Sequence, residues 1–226
     1  MSEKWDMYME KLQGHPSQCH SAHTKDSMGF VAELIPPAKY SRMLNIGAGE
    51  GLETKVLSEL GYEVTGIVRG EPNLKYARTT FPALTFYDMD MHDLQFPNDS
   101  FDCIYMNQVF EHAFAPFIFL LEMNSVLVDG GLVFTGLPHF KEIDDVTANP
   151  DINWITHHHP NILCERLFRQ FFSKTGFVVE RGPNATFPGE PSPYFDNAYL
   201  LRNTKEKNVH SDVATALRAR KENSCL

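Results

Sequence analysis

Met43-Leu44-Asn45-Ile46-Gly47-Ala48-Gly49-Glu50-Gly51-Leu52 is the stretch that decides the fold. A short apolar run, Arg42 to Ile46, reads as a buried strand and ends on Gly47. The chain then turns on alternating glycines. Leu52, Val56 and Leu60 recur at helical spacing, and Gly61 stands where a helix ends. Glycine suits such a turn because a Cβ would hold a ligand away from the backbone. The helix that follows offers unpaired N–H groups at its start. An adenosine-type cofactor at the first strand–helix turn is the usual occupant of this geometry.

Strands and helices alternate outward from that point. Tyr62 to Val68 is β-branched and reads as a strand, and Glu71-Pro72 opens the next helix. Leu84 to Tyr87 and Phe101 to Met106 read as strands. Pro116 to Val128 reads as a helix, Gly130-Gly131 as a turn, and Leu132 to Gly136 as a strand. Asn161 to Lys174 is a helix closed by Gly176, and Phe177 to Glu180 and Asn197 to Leu201 form a last pair of strands. This alternation predicts βαβ units around a parallel sheet covered on both faces. Upstream, short helices are expected at Ser2 to Leu12 and Met28 to Ile35, the second stopped by Pro36-Pro37, with a polar stretch Gly14 to Ser27 between them. The reading divides the chain into an N-terminal helical cap or lid (1–40), a main domain (41–202) and a charged tail (203–226) that is a surface helix or disordered.

Composition narrows the function. The chain has 226 residues, of which 42% are hydrophobic and 22% charged, as in ordinary globular domains. Its formal net charge of −9 argues against a general nucleic-acid binder. No Asn/Asp-Pro-Pro-aromatic run follows the fourth strand, where Asn107-Gln108-Val109-Phe110 stands instead, and there is no Pro-Cys dipeptide. The usual signatures of DNA amino-methylation and cytosine C5 methylation are therefore missing. The four cysteines, Cys19, Cys103, Cys164 and Cys225, are scattered, which suits a reducing compartment and no zinc knuckle. The N-terminal residues show no apolar signal core, and the run Phe114 to Leu121 is too short for a membrane span. A cytoplasmic location without membrane contact is expected. Cys19-His20 with His23, and His157-His158-His159 with Asp144, Asp145 or Asp151, are the candidate metal groupings. The first lacks a fourth ligand and the second has poor spacing, so no metal is expected.

The glycine spacing is GxGxG, because Leu52 stands where a dinucleotide fingerprint has its last glycine. From Met43 to Pro138 the chain resembles the class I S-adenosylmethionine-dependent methyltransferases, in particular their small-molecule, type 11-like branch. Leu44 to Gly51 looks like the family's first motif. Val64 to Ile67, with Glu71 and Leu74, looks like its second strand and helix. Asp90 to Asp102 looks like "DA..LPFPD.SFD", Val109-Phe110-Glu111-His112 like "VLEH", Val126 to Gly131 like "VLKPGG", and Phe171 to Val178 like the late helix–strand signature. The likeness extends over about residues 40–202. It implies a Rossmann-like fold with a mostly parallel seven-stranded sheet and helices on both faces. It also implies an enzyme that uses S-adenosylmethionine and leaves S-adenosylhomocysteine.

The resemblance implies roles for individual residues. The Gly47-Ala48-Gly49 backbone would pack on the methionine moiety. Asp90 would accept the adenine amino hydrogens, the Met91 backbone would meet the neighbouring ring nitrogen, and Asn107 would face the amino-acid end. Two positions depart from the family. Asn45 replaces an acid that pairs with the cofactor ammonium, and Val68 replaces an acid that grips the ribose hydroxyls. Arg69, next to Val68, is then expected at the ribose edge or beside an anion. It also admits an NADP reductase, since a basic residue about 20 positions past the turn suits a 2′-phosphate, although no Tyr-x-x-x-Lys pair is present. Asn45 and Val68 together admit a catalytically silent binding module. His112 and His139 follow the fourth and fifth strands, where ligands bind in such sheets, and are the candidate bases for a hydroxyl acceptor. The expected acceptor is a small molecule. The N-terminal segment and the His139–Pro160 and Gly182–Pro193 loops are expected to wall it.

Overall fold

The computed structural model describes residues 21–137, 165–182, 198–208 and 219. The expected helix Ser2–Leu12, His139, the 141–153 loop, the His157–His159 run and residues 183–193 lie outside these. The chain divides into two compact units, Met1–Asp90 and Met91–Leu226.

The first unit is built on three parallel strands in the order β3-β2-β1: β1 Arg42–Ile46, β2 Glu63–Val68 and β3 Thr85–Asp88. Met43 through Ile46 are all buried, which is why β1 reads as one apolar run rather than an alternation. Helix α1, Ser21–Leu34, precedes them. It starts well before the expected Met28, because its first turns are polar and show no apolar period. Helix α2, Leu52–Glu59, follows the glycine turn and ends at Leu60, with Gly61 at φ 102°. Helix α3, Glu71–Thr80, has Pro72 in its first turn. Arg78 reaches from α3 to the Phe86 carbonyl of the edge strand, with Nε at 3.1 Å and Nη2 at 2.6 Å.

The second unit carries four strands in the order β4-β5-β7-β6: β4 Phe101–Asn107, β5 Leu127–Gly136, β6 Thr175–Arg181 and β7 Ala198–Asn208. β4 and β5 are parallel, whereas β7 runs antiparallel to both β5 and β6. Two sequence readings are corrected here. β5 starts at Leu127 and absorbs Gly130-Gly131 as an irregularity in the strand, with Gly130 at φ 74° and its carbonyl held by Arg202 Nη1 at 3.0 Å. β7 extends to Asn208, past the expected Leu201, so its charged end is strand rather than surface helix or disordered tail.

Helix α4, Pro116–Val126, is buried from Phe119 onward, and helix α5, Glu165–Lys174, brings Phe168 and Phe172 into the core. The ring of Phe110 meets those of Phe119, Phe168 and Phe172 at centroid distances of 6.0, 5.5 and 5.9 Å. Asn124 and Asn203 join α4 to β7 inside this core. Asn124 Nδ2 donates to Asn203 Oδ1 at 2.6 Å, and Asn203 Nδ2 donates to the Val128 carbonyl at 3.1 Å. Among the described residues, seven strands, mostly parallel, with helices around them, make the α/β architecture that the sequence implies.

Candidate cofactor site

The glycine turn is tied to the second strand. Gly47 N and Ala48 N both donate to the Ile67 carbonyl, at 3.0 and 2.9 Å, and Gly51 N closes the turn on the Ala48 carbonyl at 2.8 Å. Gly47, Gly49 and Gly51 have φ of 76°, 51° and 88°, a region that L side chains rarely occupy. Gly51 has a second reason to be glycine. A Cβ there would lie 2.7 Å from the Phe86 ring, and one at Gly66 would meet the same ring at 2.7 Å. Phe86 thus fills the space beneath the turn, in one apolar cluster with Ala48, Val68, Leu74 and Ala77.

Asn45 is fully buried. Its Nδ2 donates to Thr54 Oγ1 at 2.9 Å, whereas its Oδ1 has no hydrogen-bond partner among the described residues. Val68 is buried in the apolar cluster, so no acceptor stands at the end of β2. Arg69 instead turns to the next strand, where its Nη1 lies 3.6 Å from Asp88 Oδ1. Asp90 is half-buried just past β3.

In the second unit, Met91 is half-buried and Asn107 ends β4 opposite Gly136. The Asn107 Oδ1 is a second buried acceptor without a partner among the described residues. His92 Nε2 accepts from Ala115 N at 3.3 Å, at the start of α4. Phe110–His112 form a single 3-10 turn. In that turn Glu111 is buried, and neither carboxyl oxygen has a hydrogen-bond partner among the described residues. Burial pushes the Glu111 carboxyl up to about 8, a rise that its own backbone N–H only partly opposes. His112 Nε2 lies 3.9 Å from Glu111 Oε1, too far for a hydrogen bond. Near neutral pH the carboxyl is protonated, so this contact is not an ion pair. Cys103 is buried, and burial, then the nearby Asp102, holds its thiol far above the usual range; it is no nucleophile.

The first unit therefore gathers Asn45, Gly47, Ala48, Gly49, Arg69 and Asp90, and the second carries Met91, Asn107 and His112. Sequence reading passed over Asp88 and Glu111. The only signal for Glu111 was its place in the Val109–His112 motif, and for Asp88 there was none, because strand register is not written in the local sequence. Among the described residues no group of three or more His, Cys, Asp or Glu could hold a metal ion, and no helix is long and apolar enough to cross a membrane.

A chain with a strand–glycine-turn–helix unit in an α/β fold whose β7 runs antiparallel between β5 and β6 has the Rossmann-like class I methyltransferase fold. Residues 44–135 match the family model described as "Methyltransferase domain". That segment is similar to proteins named as S-adenosylmethionine-dependent methyltransferases. The chain is 31% identical over 119 residues to a ubiquinone biosynthesis O-methyltransferase of Paramagnetospirillum magneticum, covering 50% of this chain and 47% of that protein. It is 26% identical over 141 residues to a Mycolicibacterium smegmatis protein named "Probable S-adenosylmethionine-dependent methyltransferase", covering 61% and 52%. The chain spans about half the length of the curated relatives it matches. Among solved structures, an S-adenosylmethionine-dependent methyltransferase from Mesorhizobium loti superposes with a TM-score of 0.61 at 17% identity, covering 79% of this chain and 98% of that one. An amino pentose methyltransferase from Micromonospora echinaspora, solved with S-adenosylmethionine bound, gives 0.62 at 12% identity, covering 80% and 92%.

Proposed function

We propose that this protein transfers a methyl group from S-adenosylmethionine to an oxygen or nitrogen of a small-molecule acceptor. The observation that carries the reading is the glycine turn, locked onto β2 inside the matched methyltransferase domain. The residues fit the cofactor. Asn45 Oδ1, in the unit that carries the glycine turn, is a buried acceptor without a protein donor among the described residues. A buried acceptor left unpaired costs about 1–3 kcal/mol, and a ligand with an ammonium, hydroxyls and an exocyclic amine supplies donors. Gly47, Ala48 and Gly49 offer backbone without side-chain bulk beyond one methyl. Asp90 accepts the adenine amine, and the Met91 backbone meets the ring beside it. When bound, the cofactor supplies an electrophilic methyl on a sulfonium. The protein's own part is to position the acceptor and to take its proton.

His112 is the proposed base, on a half-exposed ring, and His139 is the other candidate. The relatives named for O-methylation favour an oxygen acceptor. The caps and loops at 1–40, His139–Pro160 and Gly182–Pro193 are the proposed walls for that acceptor, around a main domain that runs from 41 through the end of β7 at Asn208, in a cytoplasmic protein. No nucleic-acid acceptor is proposed, on the charge of −9. The reductase alternative loses ground, because Arg69 already faces the Asp88 carboxylate, and that carboxylate would repel a 2′-phosphate. A silent binding module remains the second reading, favoured by Asn45 bonded to Thr54 and by Val68 buried in apolar surroundings.

Calorimetry with S-adenosylhomocysteine tests the cofactor half. Wild type binds, and Gly49→Val folds but does not; equal affinity in both places the site elsewhere. Transfer of labelled methyl into a metabolite extract separates the two readings, since a silent module binds and labels nothing.

A further inference from the structure

Nucleotide-binding α/β folds commonly place an acid about 20 residues past the glycine turn, where it accepts hydrogen bonds from ribose hydroxyls. Here that place is Val68-Arg69, neither of which can accept. The hydroxyls of a ribose would go unanswered there unless another group served. In the parallel register Val68 pairs with Asp88, the last residue of β3. Laterally paired residues point to the same face of a sheet, about 4.8 Å apart. Asp88 therefore holds a carboxylate one strand over from the missing acid, on the same face and at the same carboxyl-terminal edge. Its side chain is 40% exposed, so a ligand can reach it. Arg69 holds it from the side at 3.6 Å, an ion-pair distance that leaves hydrogen-bonding sites on the carboxylate for a diol. Arg69 in turn adds donors suited to ribose oxygens.

We propose that Asp88, held in place by Arg69, is the acceptor for the ribose hydroxyls of the cofactor, displaced by one strand from the usual position. This rests on the cofactor reading above. It makes Asp88 a binding residue and Arg69 its positioning residue. It also explains how a chain with valine at the end of β2 keeps a nucleoside site.

The test is a binding cycle on the full chain with two probes, S-adenosylhomocysteine and its 2′,3′-dideoxy analogue, read by calorimetry. Hydrogen bonds to a charged group are worth about 1.5–3 kcal/mol, so wild type should prefer the diol by roughly 10- to 100-fold. Asp88→Ala should lose about that factor on S-adenosylhomocysteine and nothing further on the dideoxy analogue. Asp88 is surface-exposed, and Asp88→Asn, which keeps shape and one acceptor, should fall between the two. If Asp88→Ala discriminates between the probes as strongly as wild type, Asp88 does not touch the ribose and this proposal fails while the cofactor site stands. If wild type binds neither probe, the cofactor reading and this proposal fail together.

Discussion

Glu111 shows how one side chain can register pH through burial alone. Its carboxyl stays protonated in the folded chain up to about 8, whereas in the unfolded chain it ionises near 4.5. Between these values the unfolded state has released a proton that the folded state keeps. Stability from this group is thus full below about 4.5, declines as pH rises through the window, and is gone above 8. At about 1.4 kcal/mol per unit, the effect is bounded near 5 kcal/mol. Glu111→Gln removes the titration but keeps the shape. We expect its melting temperature relative to wild type to be higher at pH 9 than at pH 5; a constant difference across that range would mean the buried carboxyl is ionised throughout. Local sequence gives no sign of this behaviour. The Val109–His112 stretch carries no apolar signal at Glu111, and only the folded chain shows that its carboxyl is out of reach of water.

The elements were legible to different depths. β1 was read to the residue, because a strand buried on both faces and cut off by glycine leaves a clear mark. The start of α1 and the end of β7 were not legible. Both are polar stretches without a period of their own, and the end of β7 is held by β6, where Asn203 pairs with Phe177 and Asn208 with Thr175. The glycine turn was found for its ligand role, yet Gly51 and Gly66 are fixed as firmly by the Phe86 ring, a packing demand invisible in the spacing. Among the joints between elements, Asn124–Asn203 couples α4 to β7 most directly. Asn203→Ala strips donors from the carbonyls of Asn124, Leu127 and Val128 and takes from the Asn124 amide its 2.6 Å acceptor, leaving it the Thr175 carbonyl at 3.3 Å. The expected cost is about 2–4 kcal/mol in urea unfolding. Asn124→Ala added on top should cost far less than it does alone, and simple additivity would show that the two amides act independently.

The second unit closes on itself late. β7 lies between β5 and β6, and its Asn203 bonds to a residue 79 positions earlier. A chain stopped at residue 197 should keep its first unit but leave β5 without its antiparallel neighbour. Such a chain should bind a hydrophobic dye and be cleaved rapidly by protease within 91–182. Protection equal to full length would show that β7 is dispensable. The same placement has a consequence during synthesis. The ribosome delivers β5 well before β7, so the nascent second unit waits with an open, apolar strand edge while some seventy residues are translated, about 4–14 s at ordinary elongation rates. Chaperone capture in the cell should fall on that interval, and slow codons placed between β5 and β7 would lengthen the exposure without altering a single amino acid.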